Sequence, residues 1–364
     1  MSSLKDRLKR IQEQKTNNSI IDRKEKIKNN NEQIPLDLLK HGWKHNGFNV
    51  LKREVTVSSS LKLVKKLPEA LPILVPDLAI QQLPKISDFL FFDLETTGLS
   101  GGGGTVAFLA AFGRFVSSKL HITQYLLLDY SGQDSFLENI ISEINKEKSI
   151  VVSYNGKCFD SQILNTMCIM NRIKPPVYKH VDLLHPSRRL WKNIIHDCSQ
   201  GSIETNILNI DRTDDIPGIF APEIWFDFLK TQNTDRLKGI CDHNKYDISG
   251  LSEILYAIIS IANDPFCDKY KYDSQRIALF WRKFCKTNQN EYLKTTGEKL
   301  LFYAAKSNNP KAVYWYSYDQ YKNGNYKESL KYCKKGLSLF DVDSDWYLKL
   351  FRRKNRLEKY LDLR

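Results

Sequence analysis

The chain has 364 residues, 41% of them hydrophobic and 12% aromatic, which excludes an intrinsically disordered protein and leaves room for two or three domains. Its formal net charge of +13 favours an anionic partner, either nucleic acid or an anionic membrane surface, unless the Lys-rich composition only gives a solvated basic surface. Seven cysteines without a CxxC pair argue against a disulfide framework, and the first residues lack a signal-peptide core. We therefore expect a soluble, cytoplasmic protein.

Composition changes along the chain predict four segments. Residues 1–33 are polar and basic and read as a flexible tail. Residues 34–85 are rich in Pro and Leu, which excludes a long helix and indicates an extended lead-in. Residues 86–263 mix strand and helix patterns, and residues 264–364 show helical patterns alone.

The order of elements from residue 86 onward indicates the fold class. Apolar runs at 89–92, 106–115 and 120–128 predict three strands of an antiparallel meander. A helix over 133–145, a strand over 150–154, a helix from about residue 160, a last strand over 177–184 and a helix over 235–261 follow. This order is that of an α/β, RNase H-like mixed sheet flanked by helices, here followed by an all-α region.

The C-terminal region contains one pair of helical patterns around a short turn. Aromatic and small residues at helical spacing run from Tyr314 to Leu339 and are interrupted at Asn323–Tyr326. The pair resembles a degenerate tetratricopeptide-type repeat. An ordinary helical cap is the alternative, because a solenoid needs about three repeats.

Two carboxylates stand at the end of the first apolar strand. Asp93 and Glu95 are two residues apart, so both side chains point to one face of the sheet. Two acids at a buried strand end repel each other and require a cationic partner, and a divalent metal ion with oxygen ligands provides one.

Two further segments carry acids that we expect near this pair. Asp160 follows the strand ending near Tyr154 and starts a helix, where capping of that helix is its alternative role. His243 and Asp247 are four residues apart in the last predicted helix and therefore share a side of it. Asp247 completes a four-acid set, and His243 or Tyr246 is the candidate general base.

Together these segments resemble the exonuclease superfamily named for its four acids, often called DEDD, over roughly residues 88–262. The motifs that carry this resemblance are Asp-x-Glu at 93–95, Asn-x3-Phe-Asp at 155–160 and a His before the final Asp247. More narrowly, Val181–Pro186, Asp214–Gly218 and His243–Asn244 resemble the YprB-type RNase H-like family.

The resemblance implies a metal-dependent 3′-5′ exonuclease that hydrolyses single-stranded DNA or RNA by a two-metal mechanism. It implies two divalent cations, Mg²⁺ or Mn²⁺, held by Asp93, Glu95, Asp160 and Asp247, with His243 among the catalytic residues. A weakly active or inactive nucleic-acid-binding scaffold is the alternative, with a protein partner docked on the C-terminal helices. A structure-selective endonuclease with the same centre is a third hypothesis.

Three other polar features stay outside the predicted site. Asp182 ends a strand and is interpreted as a turn or capping acid rather than a ligand. Arg188, Arg189 and Lys192 either contact phosphates or form a solvated basic face. The glycine run at 101–104 precedes a strand rather than a helix, so we interpret it as a turn and not as a phosphate-binding loop.

Overall fold

The computed structural model describes residues 35–78, 82–98, 104–146, 149–286 and 290–362. The predicted basic tail at 1–33 and most of the glycine run at 101–104 lie outside these residues. The chain divides into two compact units. The first comprises residues 35–62, 87–180 and 212–252, and the second comprises 63–86, 181–211 and 253–364, apart from the gaps just named.

Seven strands form one mixed sheet in the spatial order β1-β2-β5-β4-β3-β6-β7. All neighbouring pairs from β1 to β3 are antiparallel, whereas β3 and β6 are parallel. The strands are β1 (Trp43–His45), β2 (Val50–Val57), β3 (Phe89–Thr96), β4 (Ala107–Val116), β5 (Lys119–Leu127), β6 (Ile150–Ser153) and β7 (Lys179–Asp182).

Two short helices precede the meander and the others follow it, and helices are the only regular elements among the described residues after β7. They are α1 (Leu36–Lys40), α2 (Leu71–Leu74), α3 (Gln133–Asn145), α4 (Asp160–Met170), α5 (Leu184–Trp191), α6 (Gln200–Asn206), α7 (Ala221–Thr231), α8 (Asp235–Asn263), α9 (Ser274–Cys285), α10 (Glu291–Lys306), α11 (Pro310–Lys322), α12 (Tyr326–Leu337) and α13 (Asp345–Asp362). No helix in the described ranges is both long and apolar enough to cross a membrane.

The predicted fold class is confirmed. The meander of β3, β4 and β5 is antiparallel, and β6 then leads into α4 and pairs in parallel with β3. The near-continuous apolar run of β3 explains its central place in the sheet, since this strand is buried on both faces. The sequence therefore predicted the mixed sheet flanked by helices, with an all-helical region after it.

The predicted lead-in differs from the structure in one part. Residues 43–57 do not run alongside the sheet but belong to it, because β2 pairs over its whole length with β5. The alternation Val55-Thr56-Val57 is the signal of this strand. Downstream, residues 60–78 contain only short helical turns, which agrees with the predicted exclusion of a long helix by the prolines. The bounds of the four predicted segments stay predictions.

Aromatic packing holds the helices of the first unit on the sheet. Phe92 of β3 stacks on Phe112 of β4 with ring centroids 5.1 Å apart. Phe108 stacks on Trp225 of α7 at the same distance, and the indole nitrogen of Trp225 donates to the Leu127 carbonyl at 2.9 Å. Stacked rings with a satisfied indole N–H are typical of a rigid core. The strand end that carries the acids is thus built on a fixed framework.

The second unit contains two polar residues that the sequence analysis left outside the site. Asp182 accepts a hydrogen bond from the Leu184 backbone N–H at 3.0 Å, which confirms its predicted role as a turn acid. Arg189 donates to the Ile73 carbonyl at 3.1 Å and lies over the Phe280 ring at 5.1 Å. These contacts support a structural role for Arg189.

Helices α9 to α13 pack in sequence, each against the next, and α11 and α12 are the predicted pair around the Asn323–Tyr326 turn. Tyr314, Cys333, Leu350 and Leu357 form the buried centre of the last three helices. The likeness of this pair to a tetratricopeptide repeat stays a prediction.

Candidate active site

Asp93 and Glu95 lie at the C-terminal end of β3 on one face of the sheet, as their spacing predicted. Glu95 is 8% exposed. Burial raises the pKa of both carboxyls well above the ordinary range, and the negative charges of Asp247 and Asp160 raise it further. Among the described residues, no Lys or Arg forms an ion pair with Asp93 or Glu95. The strand end is therefore a site of concentrated negative charge.

Asp160 approaches this pair from the other strand–helix connection. It is the first residue of α4, directly after the segment that follows β6, and only 4% of it is exposed. Because β6 pairs in parallel with β3, the ends of both strands meet at one edge of the sheet. The charge of Asp160 raises the pKa of Asp93 and of Glu95, so its electrostatic contribution acts at the same place.

The long helix α8 brings His243 and Asp247 to this edge. His243 Nε2 lies 3.3 Å from Asp247 Oδ2 and 3.9 Å from Glu95 Oε1. One ligand atom from each of these three residues falls within 4.8 Å of the other two, which is close enough to hold one metal ion. The structure thus brings Glu95, His243 and Asp247 together, and Asp93 and Asp160 are close enough to raise the pKa of carboxyls in this group.

Tyr246, the other candidate general base, has a different environment. It is 44% exposed, and the Lys245 ammonium lies 4.2 Å from the centre of its ring. Within the described ranges, no hydrogen bond joins its hydroxyl to the acids of the site.

Two residues of the segment before α7 belong to the cluster although the sequence analysis gave them no role. Asp215 Oδ2 accepts a hydrogen bond from His243 Nδ1 at 2.7 Å. Arg212 Nη1 donates to Asp247 Oδ1 at 2.7 Å and lies 3.3 Å from Asp215 Oδ2. The only sequence signal was that the Asp214–Gly218 segment carried part of the family resemblance.

Two glycines allow this segment to lie directly on α8. A Cβ atom at Gly239 of α8 would collide with the side chain of Ile216. A Cβ at Gly218 would stand 2.8 Å from His243 Nε2, too close for van der Waals contact. The close approach places Asp215 against the imidazole.

A series of hydrogen bonds between buried amide side chains orients Asp93. Asn244 donates from Nδ2 to Asp93 Oδ2 at 2.7 Å, and this hydrogen bond favours the ionised carboxylate. Gln124 Nε2 donates to Asn244 Oδ1 at 3.1 Å and to the Cys241 carbonyl at 2.7 Å. Both amides are fully buried, and the hydrogen bond from Gln124 to Asn244 Oδ1 fixes the amide orientation in which the Asn244 NH₂ points at Asp93.

The donor set fits divalent cations. Buried carboxylates that raise the pKa of one another are stabilised when a cation neutralises them, and carboxylate oxygens are the preferred ligands of Mg²⁺ and Mn²⁺. An imidazole beside them is compatible with such a centre. Chemically, the arrangement can bind cations, and both its carboxylates and His243 Nε2 can accept a proton.

Comparison with known proteins identifies the domain that carries this site. Residues 90–259 match the profile of the RNase H superfamily. The uncharacterized protein YprB of Bacillus subtilis (strain 168) is 33% identical over 207 residues, which is 56% of this chain and 50% of that protein. The chain thus spans about half the length of this curated relative.

Among solved structures, the E. coli exonuclease I complex with a dT13 oligonucleotide is 18% identical, with a TM-score of 0.29 over 41% of this chain and 42% of the other. Apo exonuclease I is 17% identical, with a TM-score of 0.30 over 43% and 47%. The matched stretch, residues 90–259, contains Asp93, Glu95, Asp160 and Asp247, and together with the mixed sheet it shows an RNase H-like fold around them.

Proposed function

We propose that this chain is a metal-dependent nuclease whose RNase H-like domain hydrolyses phosphodiester bonds. The observation that carries the proposal is the convergence of four carboxylates on one sheet edge, two of them buried with raised pKa values and without a Lys or Arg partner in the described ranges. Buried carboxyl groups with strongly raised pKa values are typical of catalytic centres.

Asp93, Glu95, Asp160 and Asp247 would hold two divalent cations, Mg²⁺ or Mn²⁺. When bound, the cations lower the pKa of an attacking water and neutralise charge on the phosphodiester and its leaving oxygen. Asn244 donates a hydrogen bond to Asp93, which fixes the position of this carboxyl and partly opposes the rise of its pKa. Asp93 is therefore oriented before any ligand binds.

His243 is our candidate for the general base. An ionised Asp215 only accepts hydrogen bonds, so its 2.7 Å contact requires the proton of the neutral imidazole to sit on Nδ1. Nε2 is then free to take a proton from water on the side that faces Glu95 and Asp247. The exposed position of Tyr246 favours His243 over it.

The finer assignment is a 3′-5′ exonuclease on single-stranded DNA or RNA. It follows from the family resemblance together with the positive net charge, which favours binding of a polyanion.

The test is a time course with 5′-labelled single-stranded DNA and RNA in Mg²⁺, Mn²⁺ and EDTA. We expect a ladder of shortening products that EDTA abolishes and that Asp93→Asn reduces roughly 10³-fold, since losing a ligand removes several kcal/mol of charge stabilisation. Asp235→Asn is the matched control, because that acid lies on α8 with a 77% exposed side chain. A circular single strand should stay intact.

Other outcomes identify the alternatives. Cleavage of the circular strand would indicate an endonuclease. Oligonucleotide binding without products, unaffected by EDTA and by Asp93→Asn, would replace the nuclease with a nucleic-acid-binding scaffold.

A further inference from the structure

The net positive charge of the protein is confined to part of the chain. Residues 264–364 contain 22 Lys and Arg against 12 Asp and Glu. Residues 34–263, which include the proposed nuclease domain, contain 24 against 25. Attraction of a polyanion must therefore come largely from the C-terminal helices or from the N-terminal tail.

The C-terminal helices carry a group of cations over aromatic rings, which we call the Trp315 cluster and define as Arg282, Lys286, Trp315, Tyr318 and Lys322. Arg282 Cζ lies 4.0 Å and Lys286 Nζ lies 5.0 Å from the centre of the Trp315 ring. Tyr318 packs edge-on against Trp315 at 5.8 Å, and Lys322 Nζ lies 5.9 Å from the Tyr318 ring. The cluster combines α9 and α11.

The cations of the cluster differ in availability. Arg282 binds both oxygens of Asp319, at 2.6 Å each, and is thereby neutralised and fixed. Lys286 and Lys322 are exposed and form no ion pair within the described ranges. Two solvent-accessible ammonium groups thus flank half-buried aromatic rings.

We propose that the Trp315 cluster binds single-stranded nucleic acid, with Lys286 and Lys322 contacting phosphates beside the rings of Trp315 and Tyr318. Aromatic rings interleaved with cations are the general means of binding single strands without sequence preference. Unpaired lysines are depleted at the centres of protein–protein interfaces, which makes a protein the less suitable occupant. The proposal deepens the proposed nuclease function, since the bound strand would be its substrate.

The test measures binding apart from turnover. Fluorescence anisotropy of a labelled oligothymidylate in EDTA compares the full-length wild type with Lys286→Glu/Lys322→Glu. We expect about tenfold weaker binding and a salt slope smaller by about 1.4, since each phosphate contact on a single strand contributes about 0.7. Hydrolysis of the p-nitrophenyl ester of thymidine 5′-phosphate in Mn²⁺ should not change. If the wild type does not hydrolyse this ester, the proposed nuclease activity is contradicted but the proposed binding site is not.

The matched control is Lys294→Glu/Lys299→Glu, which changes the charge equally at two exposed positions of α10. An equal loss of affinity in the control would overturn the proposal, because net charge alone would then explain binding. Unchanged affinity in Lys286→Glu/Lys322→Glu would also overturn it and leave a protein partner as the occupant.

Photocrosslinking provides a readout that does not depend on a variant. An oligonucleotide with 5-iodouridine should crosslink to the tryptic peptide of residues 312–322, which holds Trp315 and Tyr318. Crosslinks found only in other peptides would contradict the assignment.

Discussion

The RNase H-like domain and the C-terminal helices use charge in opposite ways. In the domain, carboxylates lie together and are buried, and Asp93 and Glu95 have no Lys or Arg partner among the described residues. In the helices, an excess of Lys and Arg is spread over the surface, and several of these cations cover aromatic rings. Buried like charges cost free energy of folding, whereas solvated cations cost little. The buried group of carboxylates therefore indicates a chemical role, whereas the solvated cations over aromatic rings indicate a binding role.

The largest effect that would sharpen this comparison is expected from Glu95→Gln. The substitution keeps the shape of the side chain but removes one charge from the proposed metal site, so we expect turnover to fall roughly 10³-fold. Affinity for an oligonucleotide in EDTA should stay the same or increase slightly, because only negative charge is lost. Parallel rate and anisotropy measurements check this, and a matching loss of affinity would contradict the division of roles between the two regions.

A smaller effect is expected from Asp215→Asn, which replaces the acceptor of the His243 Nδ1–H. Loss of such an orienting carboxylate typically lowers activity about 10–100-fold. We expect the loss in kcat with little change in KM, because Asp215 acts through His243. Asp214→Asn is the control, since Asp214 is the exposed neighbour. A change in KM alone would argue against the positioning role.

The smallest effect concerns stability in the absence of metal. The folded-state pKa values of Asp93 and Glu95 are raised, so the folded protein binds more protons than the unfolded chain between the ordinary carboxyl range and the raised values. Their contribution to stability is therefore lost as pH rises through that window.

In EDTA, we expect Asp93→Asn to raise Tm by a few degrees at neutral pH and to leave it almost unchanged near pH 4. Calorimetry at several pH values checks this prediction. A lower Tm for Asp93→Asn at neutral pH would show that the carboxylate stabilises the metal-free fold.

Much of this site was predictable because it depends on local spacing. Asp93 and Glu95 share a face through the two-residue period of a strand, and His243 and Asp247 share a side through the helical period. Asp160 followed from its place after a strand. Residues 43–57 were harder to assign, because joining β5 at the sheet edge requires pairing with a strand about 70 residues away.

The sequence by itself determined the RNase H-like class, the order of strands and helices from residue 86 to the last strand, the five candidate site residues and the basic character of the C-terminal helices. Only the tertiary structure decided that Asp215 holds His243, that Gln124 and Asn244 orient Asp93, and that Lys286 and Lys322 lie over the neighbouring rings of Trp315 and Tyr318. The physical reason is that periodicity reports which face a residue occupies within its own element. Which side chains meet between elements depends on close approaches, such as that of Ile216 at Gly239, that no local pattern encodes.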